Sequence, residues 1–315
     1  MALTAPADPS AVTAQTRLLV VAPHPDDETI ANGLLIQRVR EAGGAVRVLL
    51  LTDGDNNPWP QRWLERRWSI GSAERERWGR RRRAECEEAL RRLGLPSSAL
   101  QPLRWPDMGV LGRLLQPGQS ALGELATVLA DFAPSLIALP ALDDRHPDHG
   151  TAHVLVRQAL ARLDGRASML VYRLHGLDGA SARTEPAALS AQQKIKQYAL
   201  AAYETQLALS GRRFRRLAGC PERHAPVEAS RGGSTARALP WRPLFLLRPL
   251  LRLTAASASG EVRQWPWRKA PLQRDGQGGW RLAWPDAHPS RSCFVRLSLA
   301  WRTPWIFDHW GWCEL

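Results

Sequence analysis

The sequence predicts an α/β fold: an open, mostly parallel sheet with helices on both faces, followed by a Trp/Arg-rich C-terminal extension of β character. Three observations predict it. Short, continuous apolar runs recur, as in strands buried on both faces. Helical stretches alternate with them, which favours right-handed crossovers between parallel neighbours. The densest His/Asp clusters lie just after apolar runs, where open α/β sheets bind their ligands.

The elements follow in order. Residues 1–16 are small and polar and read as a lead-in. Arg17–Ala22 is a short buried strand, and Thr29–Glu41 a helix with Gly43 just past its end. Val46–Leu51 is a second strand, and residues 53–60 form a loop on turn chemistry. An arginine-rich helix runs from Ser72 to Leu93, stopped by Gly94 and Pro96. Leu100–Trp105 and Ser135–Leu139 are further strands, with a helix over Ala121–Asp131 between them. A helix starts near Gly150, a strand covers Met169–Leu174, and Ala191–Leu209 reads as one long helix. The expected organisation is therefore an α/β domain over 17–210, a linker or long loop over 211–239, and an extension of unknown role over 240–315. Within the extension, Val262–Trp267, Trp280–Trp284 and Cys293–Trp301 alternate as strands do. It is either an added β layer or a small second domain.

Composition narrows the function classes. With 44% hydrophobic and 23% charged residues, the chain is neither collagen, nor a coiled-coil rod, nor wholly disordered. Lys+Arg number 43 against 30 Asp+Glu, a net charge of +13 carried almost entirely by arginine, and such a surface favours anionic partners. The four cysteines lie far apart without a C-x-x-C pair, which suits a reducing cytoplasm and excludes a thiolate zinc site. Residues 1–16 lack a signal-peptide pattern, and no run reaches the ~20 apolar residues that span a bilayer. Trp241–Leu253, interrupted by three arginines and two prolines, reads as a basic amphipathic surface segment. The expected location is the cytoplasm, with peripheral membrane contact. No nucleic-acid module is recognisable, and the oligomeric state is unknown.

Two clusters carry the chemistry. Pro23-His24-Pro25-Asp26-Asp27-Glu28 follows the first strand, and Asp143-Asp144-Arg145-His146-Pro147-Asp148-His149 follows the strand at Leu136–Leu139. Gathering several carboxylates without a cation is costly, so a metal is the economical explanation. His and Asp without thiolate suit Zn²⁺ or another divalent ion such as Fe(II). The plainer reading of the first cluster is that Asp26 or Asp27 caps the next helix and His24 is incidental. Two such clusters are hard to explain as caps alone. Three ligands drawn from the two would leave a position open for water, as in catalytic zinc.

These motifs resemble the PIG-L/LmbE-like family of metal-dependent N-deacetylases, which remove acetyl groups from N-acetylglucosamine conjugates. Thr52-Asp53-Gly54, Arg82-x-x-Glu85, Trp105-Pro106-Asp107, and Lys196 through Tyr203-x-Thr205-Gln206 add to the match, which covers about residues 16–210. The resemblance implies a Rossmann-like sheet with His24, Asp27 and His149 as metal ligands and Asp26 as the general base on the metal-bound water. It implies that His146 stabilises the tetrahedral intermediate and protonates the leaving amine, with Asp148 setting its orientation and charge. Glu28 would lie near the ligands, and Arg82 and Asp107 would contact the sugar. The implied substrate is an N-acetylated amino-sugar conjugate, and surface charge favours an anionic or lipid-linked one. The rival is a non-catalytic binding protein for acidic glycans or membrane surfaces on the same fold, against which the complete set of six motif residues weighs.

Other features have plainer readings. His153, one turn beyond His149, is a histidine that packs or supports a ligand from behind, because a fourth protein ligand would close the catalytic position. His175, His224, His288 and His309 lack spacing partners and read as structural or exposed. Arg80–Arg83 reads as a solvated, i,i+4-paired face, although a phosphate patch is the alternative. Trp59, Trp63 and Trp68 either stack on a ligand or fill core, and the C-terminal tryptophans fill core.

Overall fold

The computed structural model describes residues 12–116, 120–163, 165, 167–176, 183–184, 190–227, 238–284, 292–301 and 310–315. The chain divides into two compact units: one of residues 1–110, 131–140 and 166–227, the other of 111–130, 141–165 and 228–315.

In chain order the elements begin β1 (Arg17–Ala22), α1 (Asp27–Glu41), β2 (Ala45–Thr52), α2 (Pro58–Glu65), α3 (Ser72–Arg92) and β3 (Leu100–Trp105). They continue with α4 (Val110–Leu115), α5 (Ser120–Phe132), β4 (Leu136–Pro140), α6 (Pro147–Arg162), β5 (Ser168–Tyr172), β6 (Arg183–Thr184), α7 (Ser190–Leu200), α8 (Glu204–Gly219) and β7 (Arg223–Pro226). The last elements are β8 (Leu251–Ser257), β9 (Val262–Pro266), β10 (Leu272–Arg274), β11 (Trp280–Leu282), β12 (Cys293–Leu299) and β13 (Trp312–Glu314).

In the first unit seven strands form one sheet in the order β3-β2-β1-β4-β5-β7-β6. The first five are parallel, and β7 and β6 close the edge antiparallel. Leu18, Val20 and Ala22 belong to a core shared with α1, α3 and α7. The alternate residues Leu19 and Val21 are equally buried, so both faces of the sheet are covered. From β1 the chain moves to β2 and β3 on one side and later to β4 on the other. The β1–β4 junction is thus the switch point, outside whose carboxyl ends such sheets bind ligands.

In the second unit β13-β12-β8-β9 form a four-stranded antiparallel sheet and β10-β11 a hairpin pair. Its core gathers Leu251, Leu253, Trp267, Trp284 and Val295. Edge-to-face pairs Trp265–Trp284 and Trp267–Trp280 lie 6.1 and 5.7 Å apart, so these C-terminal tryptophans pack.

Several elements differ from the sequence expectation. Residues 58–60 begin a helix, because Asn57 caps it by accepting from Trp59 N at 3.3 Å and Pro58 fits its first turn. The long helix expected over 191–209 is two, α7 and α8, broken at 201–203. Residues 211–219 continue α8 and 223–226 are β7, where a linker was expected; 228–237 lie outside the described residues. The segment Trp241–Leu253 runs into β8, whose inward face is buried and whose partners are β9 and β12. Residues 1–11, His288 and His309 lie outside the described residues. Among the described residues no helix is long and apolar enough to cross a membrane.

Candidate metal centre

The first cluster sits in the turn from β1 into α1. Thr52, at the end of β2, fixes this turn through Thr52 N and Oγ1, which donate to Pro23 O at 3.0 and 2.9 Å. Asp26 occupies the cap position of α1, but its side chain makes no cap bond and its backbone is left-handed, φ 116°. A non-glycine residue there costs on the order of 1–3 kcal/mol and persists only where its surroundings hold it. Glu28 Oε2 accepts from Asp26 N at 3.1 Å, and Arg82 Nη2 donates to Asp26 Oδ2 at 3.1 Å and to Pro25 O at 2.9 Å. The capping explanation therefore fails for the Asp26 side chain, which is aimed at a guanidinium instead.

That guanidinium is itself fixed. Arg82 Nη1 donates to Gly54 O, and with its amide oxygen turned inward Gln206 accepts from Arg82 Nε and Nη2 at 3.0 and 3.2 Å. A Cβ on Gly54 would lie 1.7 Å from Arg82 Nη1, which explains the glycine of Thr52-Asp53-Gly54. Glu28 Oε1 accepts from Thr29 Oγ1 at 2.6 Å and from Tyr203 OH. Thr205 N, in the first turn of α8, donates to Glu85 at 3.1 Å. The α7–α8 break thus presents Tyr203, Thr205 and Gln206 to Glu28, Glu85 and Arg82, which gives physical content to the motif on that helix pair.

The electrostatics follow from burial. Asp26 is pushed up to about 8, chiefly by desolvation; Arg82 pulls it down, Asp27 and Glu28 push it up, and His24 pulls it down. Burial also raises Glu28, against the hydrogen bonds from Thr29 and Tyr203, and raises the Tyr203 phenol, which stays the donor. Asp107 behaves oppositely. Burial alone would raise it, but the hydrogen bond and charge of His24, Asn56 N and Arg82 hold it below the usual range. His24 Nε2 lies 3.3 Å from Asp107 Oδ1, and His24 Nδ1 lies 3.5 Å from Asp27 Oδ2.

The second cluster enters α6. His146 caps that helix, its Nδ1 accepting from Asp148 N at 3.3 Å, with Pro147 in the first turn. Asp144 is the residue to which the sequence pattern assigned no role. Its Oδ1 accepts from His146 N at 2.9 Å, and its Oδ2 lies 3.4 Å from His149 Nδ1. Asp144, His146, Asp148 and His149 are all buried, and the two imidazoles lie 5.1 Å apart. The rings of His153 and Phe294 lie edge to face with their centroids 6.5 Å apart.

The C-terminal sheet braces this helix, a function the sequence did not suggest. Trp312 Nε1 donates to Thr151 Oγ1 at 3.1 Å, Arg157 reaches Glu314 through both Nη atoms at 3.2 and 3.1 Å, and Gln158 Nε2 donates to Ser257 O at 2.7 Å. A Cβ on Gly150, next to His149, would sit 2.6 Å from Leu142 O and 2.8 Å from Trp312 Cδ1. Trp59, Trp63 and Trp68, by contrast, are all exposed.

A mostly parallel α/β sheet whose first strand runs into a buried His/Asp turn defines the class: an α/β fold with a polar turn at a strand's carboxyl end. Comparison with known proteins makes it particular. Residues 19–160 match the model of the PIG-L family, described as GlcNAc-PI de-N-acetylase. A 1D-myo-inositol 2-acetamido-2-deoxy-alpha-D-glucopyranoside deacetylase of Gordonia bronchialis is 33% identical over 165 residues, 46% of this chain and 57% of that protein. The enzyme of that name from Mycobacterium leprae is 31% identical over 158 residues, 46% of this chain and 50% of that protein. The chain thus spans about half the length of the curated relatives it matches. Among solved structures, an A40926 pseudoaglycone deacetylase superposes with a TM-score of 0.51 at 20% identity, covering 67% of this chain and 97% of that one. A 4-carboxy-2-hydroxymuconate hydratase from Pseudomonas putida superposes with a TM-score of 0.52 at 16% identity, covering 68% and 97%. Likeness at this level establishes the fold, and the hydratase illustrates that the fold alone does not select the reaction.

Proposed function

We propose that the chain is a metal-dependent hydrolase that removes an N-acetyl group from an N-acetylglucosamine-type conjugate. One observation carries the metal: each histidine proposed as a ligand has a buried carboxylate against one ring nitrogen, Asp107 on His24 Nε2 and Asp144 on His149 Nδ1. Carboxylates so placed fix the tautomer and orientation of metal-binding histidines and direct the other nitrogen to coordinate. Asp27, whose Oδ2 lies 3.5 Å from His24 Nδ1, supplies the third ligand. Zinc is the metal proposed, with Fe(II) the alternative for this N/O donor set.

When bound, a divalent ion acidifies water and polarises the acetyl carbonyl. The chain's own groups do the rest. Asp26, fixed by Arg82 and by its strained backbone, accepts the proton of the attacking water. His146, with Nδ1 engaged by Asp148 N, carries its proton on Nε2 and donates it to the developing oxyanion. For the amine to leave, the proton that Asp26 took from the water returns through solvent to His146 Nδ1, which gives up that cap bond; the buried Asp148 carboxylate favours the imidazolium, and its Nε2 proton passes to the nitrogen as the C–N bond breaks. Arg82 and Asp107 remain candidates for sugar contact, although each already has partners within the protein. The curated relatives support an acetylated amino-sugar substrate; the net charge of +13 favours an anionic or lipid-linked one, and the cytoplasm is the proposed compartment.

Acetate release tests this reading. Purified protein reconstituted with zinc or Fe(II) should deacetylate an N-acetylglucosamine conjugate, faster for phosphorylated than for free sugar, with the difference shrinking at high salt. No release from any N-acetylated sugar, with metal bound, would contradict it.

A further inference from the structure

We infer that the turn at Leu244–Leu247 is a membrane-docking wedge for anionic lipid bilayers. Leu244, Phe245 and Leu246 are consecutive and 72%, 72% and 82% exposed, with Leu247 37% exposed beside them. Single exposed leucines need no explanation, but a protruding run of large apolar side chains marks an interaction site. The run is an ordered turn. Leu247 N donates to Leu244 O at 3.0 Å and Leu250 N to Leu247 O at 2.9 Å. Arg248 ties its base, Nε donating to Pro243 O at 3.1 Å, while the guanidinium lies over the rings of Phe245 and Trp280 at 5.7 and 5.3 Å.

Charge identifies the occupant. Arg242, Arg248 and Arg252 flank the tip, and no acidic residue occurs from 240 to 260. An apolar tip in a cationic collar matches a negatively charged bilayer surface, with the tip among the acyl chains and the arginines at the headgroups. A second copy of the chain would carry the same positive collar. A stable protein interface also buries roughly 800 Å² per partner, more than one short turn offers.

Co-sedimentation with extruded vesicles tests the inference on the full chain, without reference to turnover or metal, so its failure is distinct from failure of the deacetylase reading. Wild-type protein should bind vesicles of phosphatidylcholine mixed with phosphatidylglycerol, bind pure phosphatidylcholine weakly, and lose affinity with salt. The triple change Leu244→Ser, Phe245→Ser, Leu246→Ser should weaken partitioning about 100-fold or more. The pair Arg242→Ala, Arg252→Ala leaves the tip intact and should weaken it about fivefold per arginine. No binding of wild type to anionic vesicles would overturn the inference, as would equal binding by wild type and the arginine pair. A lipid-free dimer that the triple change converts to monomer would also overturn it, in favour of self-association.

Discussion

Residues 24–26 and 146–148 both read His-Pro-Asp, yet the chain holds the two copies in different ways. In the first, Asp26 is forced into a left-handed backbone at φ 116° and its carboxylate is gripped by Arg82 at 3.1 Å. In the second, His146 sits at an ordinary extended φ of −73° and caps its helix. The first copy is held within its own unit by Glu28, Arg82, Tyr203 and Gln206. The second is held directly by Asp144, and the helix it caps is held farther along by the C-terminal sheet, through Trp312, Glu314 and Ser257. One tripeptide thus serves two tasks. Strain and a guanidinium aim a carboxylate with a raised proton affinity, while a relaxed cap and a buried aspartate aim two imidazoles.

The contrast yields an ordered set of expected effects. Chelation should abolish acetate release altogether and added zinc or Fe(II) restore it, because the proposed reaction depends on a bound metal ion. Asp26→Asn should leave metal content unchanged and lower kcat by roughly 10² to 10⁴, the range for loss of a general base. Retained turnover would assign the base elsewhere. Asp144→Ala should keep the fold but weaken metal affinity by about 10- to 100-fold, measured by competition with a chromogenic chelator. An unchanged affinity would reduce Asp144 to a turn residue.

The smaller effects separate the two scaffolds. Gly150→Ala, facing Leu142 O and Trp312, should cost about 1–3 kcal/mol of stability in urea unfolding and weaken metal binding with it. Tyr203→Phe removes one donor from buried Glu28 and should cost about 1–3 kcal/mol, lowering kcat while leaving metal affinity intact. If Tyr203→Phe altered metal affinity as much as Gly150→Ala, the division of labour between the copies would be wrong.

Much of the first unit could be read from residues because its signals are local. Leu18–Ala22 is a continuous apolar run, and Gly43 and Gly94 stop helices where the chain turns. The site clusters were legible for the same reason: His, Asp and Pro within a few residues have no ordinary core use. What stayed hidden depends on distant partners. The α7–α8 break is stabilised by Glu85, 120 positions away in sequence, which donates no local signal at Thr205. β8 was hidden because Arg252 interrupts its apolar run, and only pairing with β9 and β12 sends that side chain outward. Asp144 lay inside the second cluster without an assigned role, because only the folded chain sets its carboxylate 3.4 Å from His149 Nδ1. The bracing of α6 by Trp312 spans 161 positions and no periodicity could announce it.

The central proposal is that His24, in the first His-Pro-Asp, and His149, the residue after the second, are both ligands of the bound metal. Elemental analysis of purified, zinc-loaded and dialysed wild type, His24→Ala and His149→Ala, each checked for native folding by near-UV circular dichroism, tests it most directly. The account predicts one zinc per wild-type chain and essentially none in either folded variant. One zinc per chain retained in either variant would contradict it.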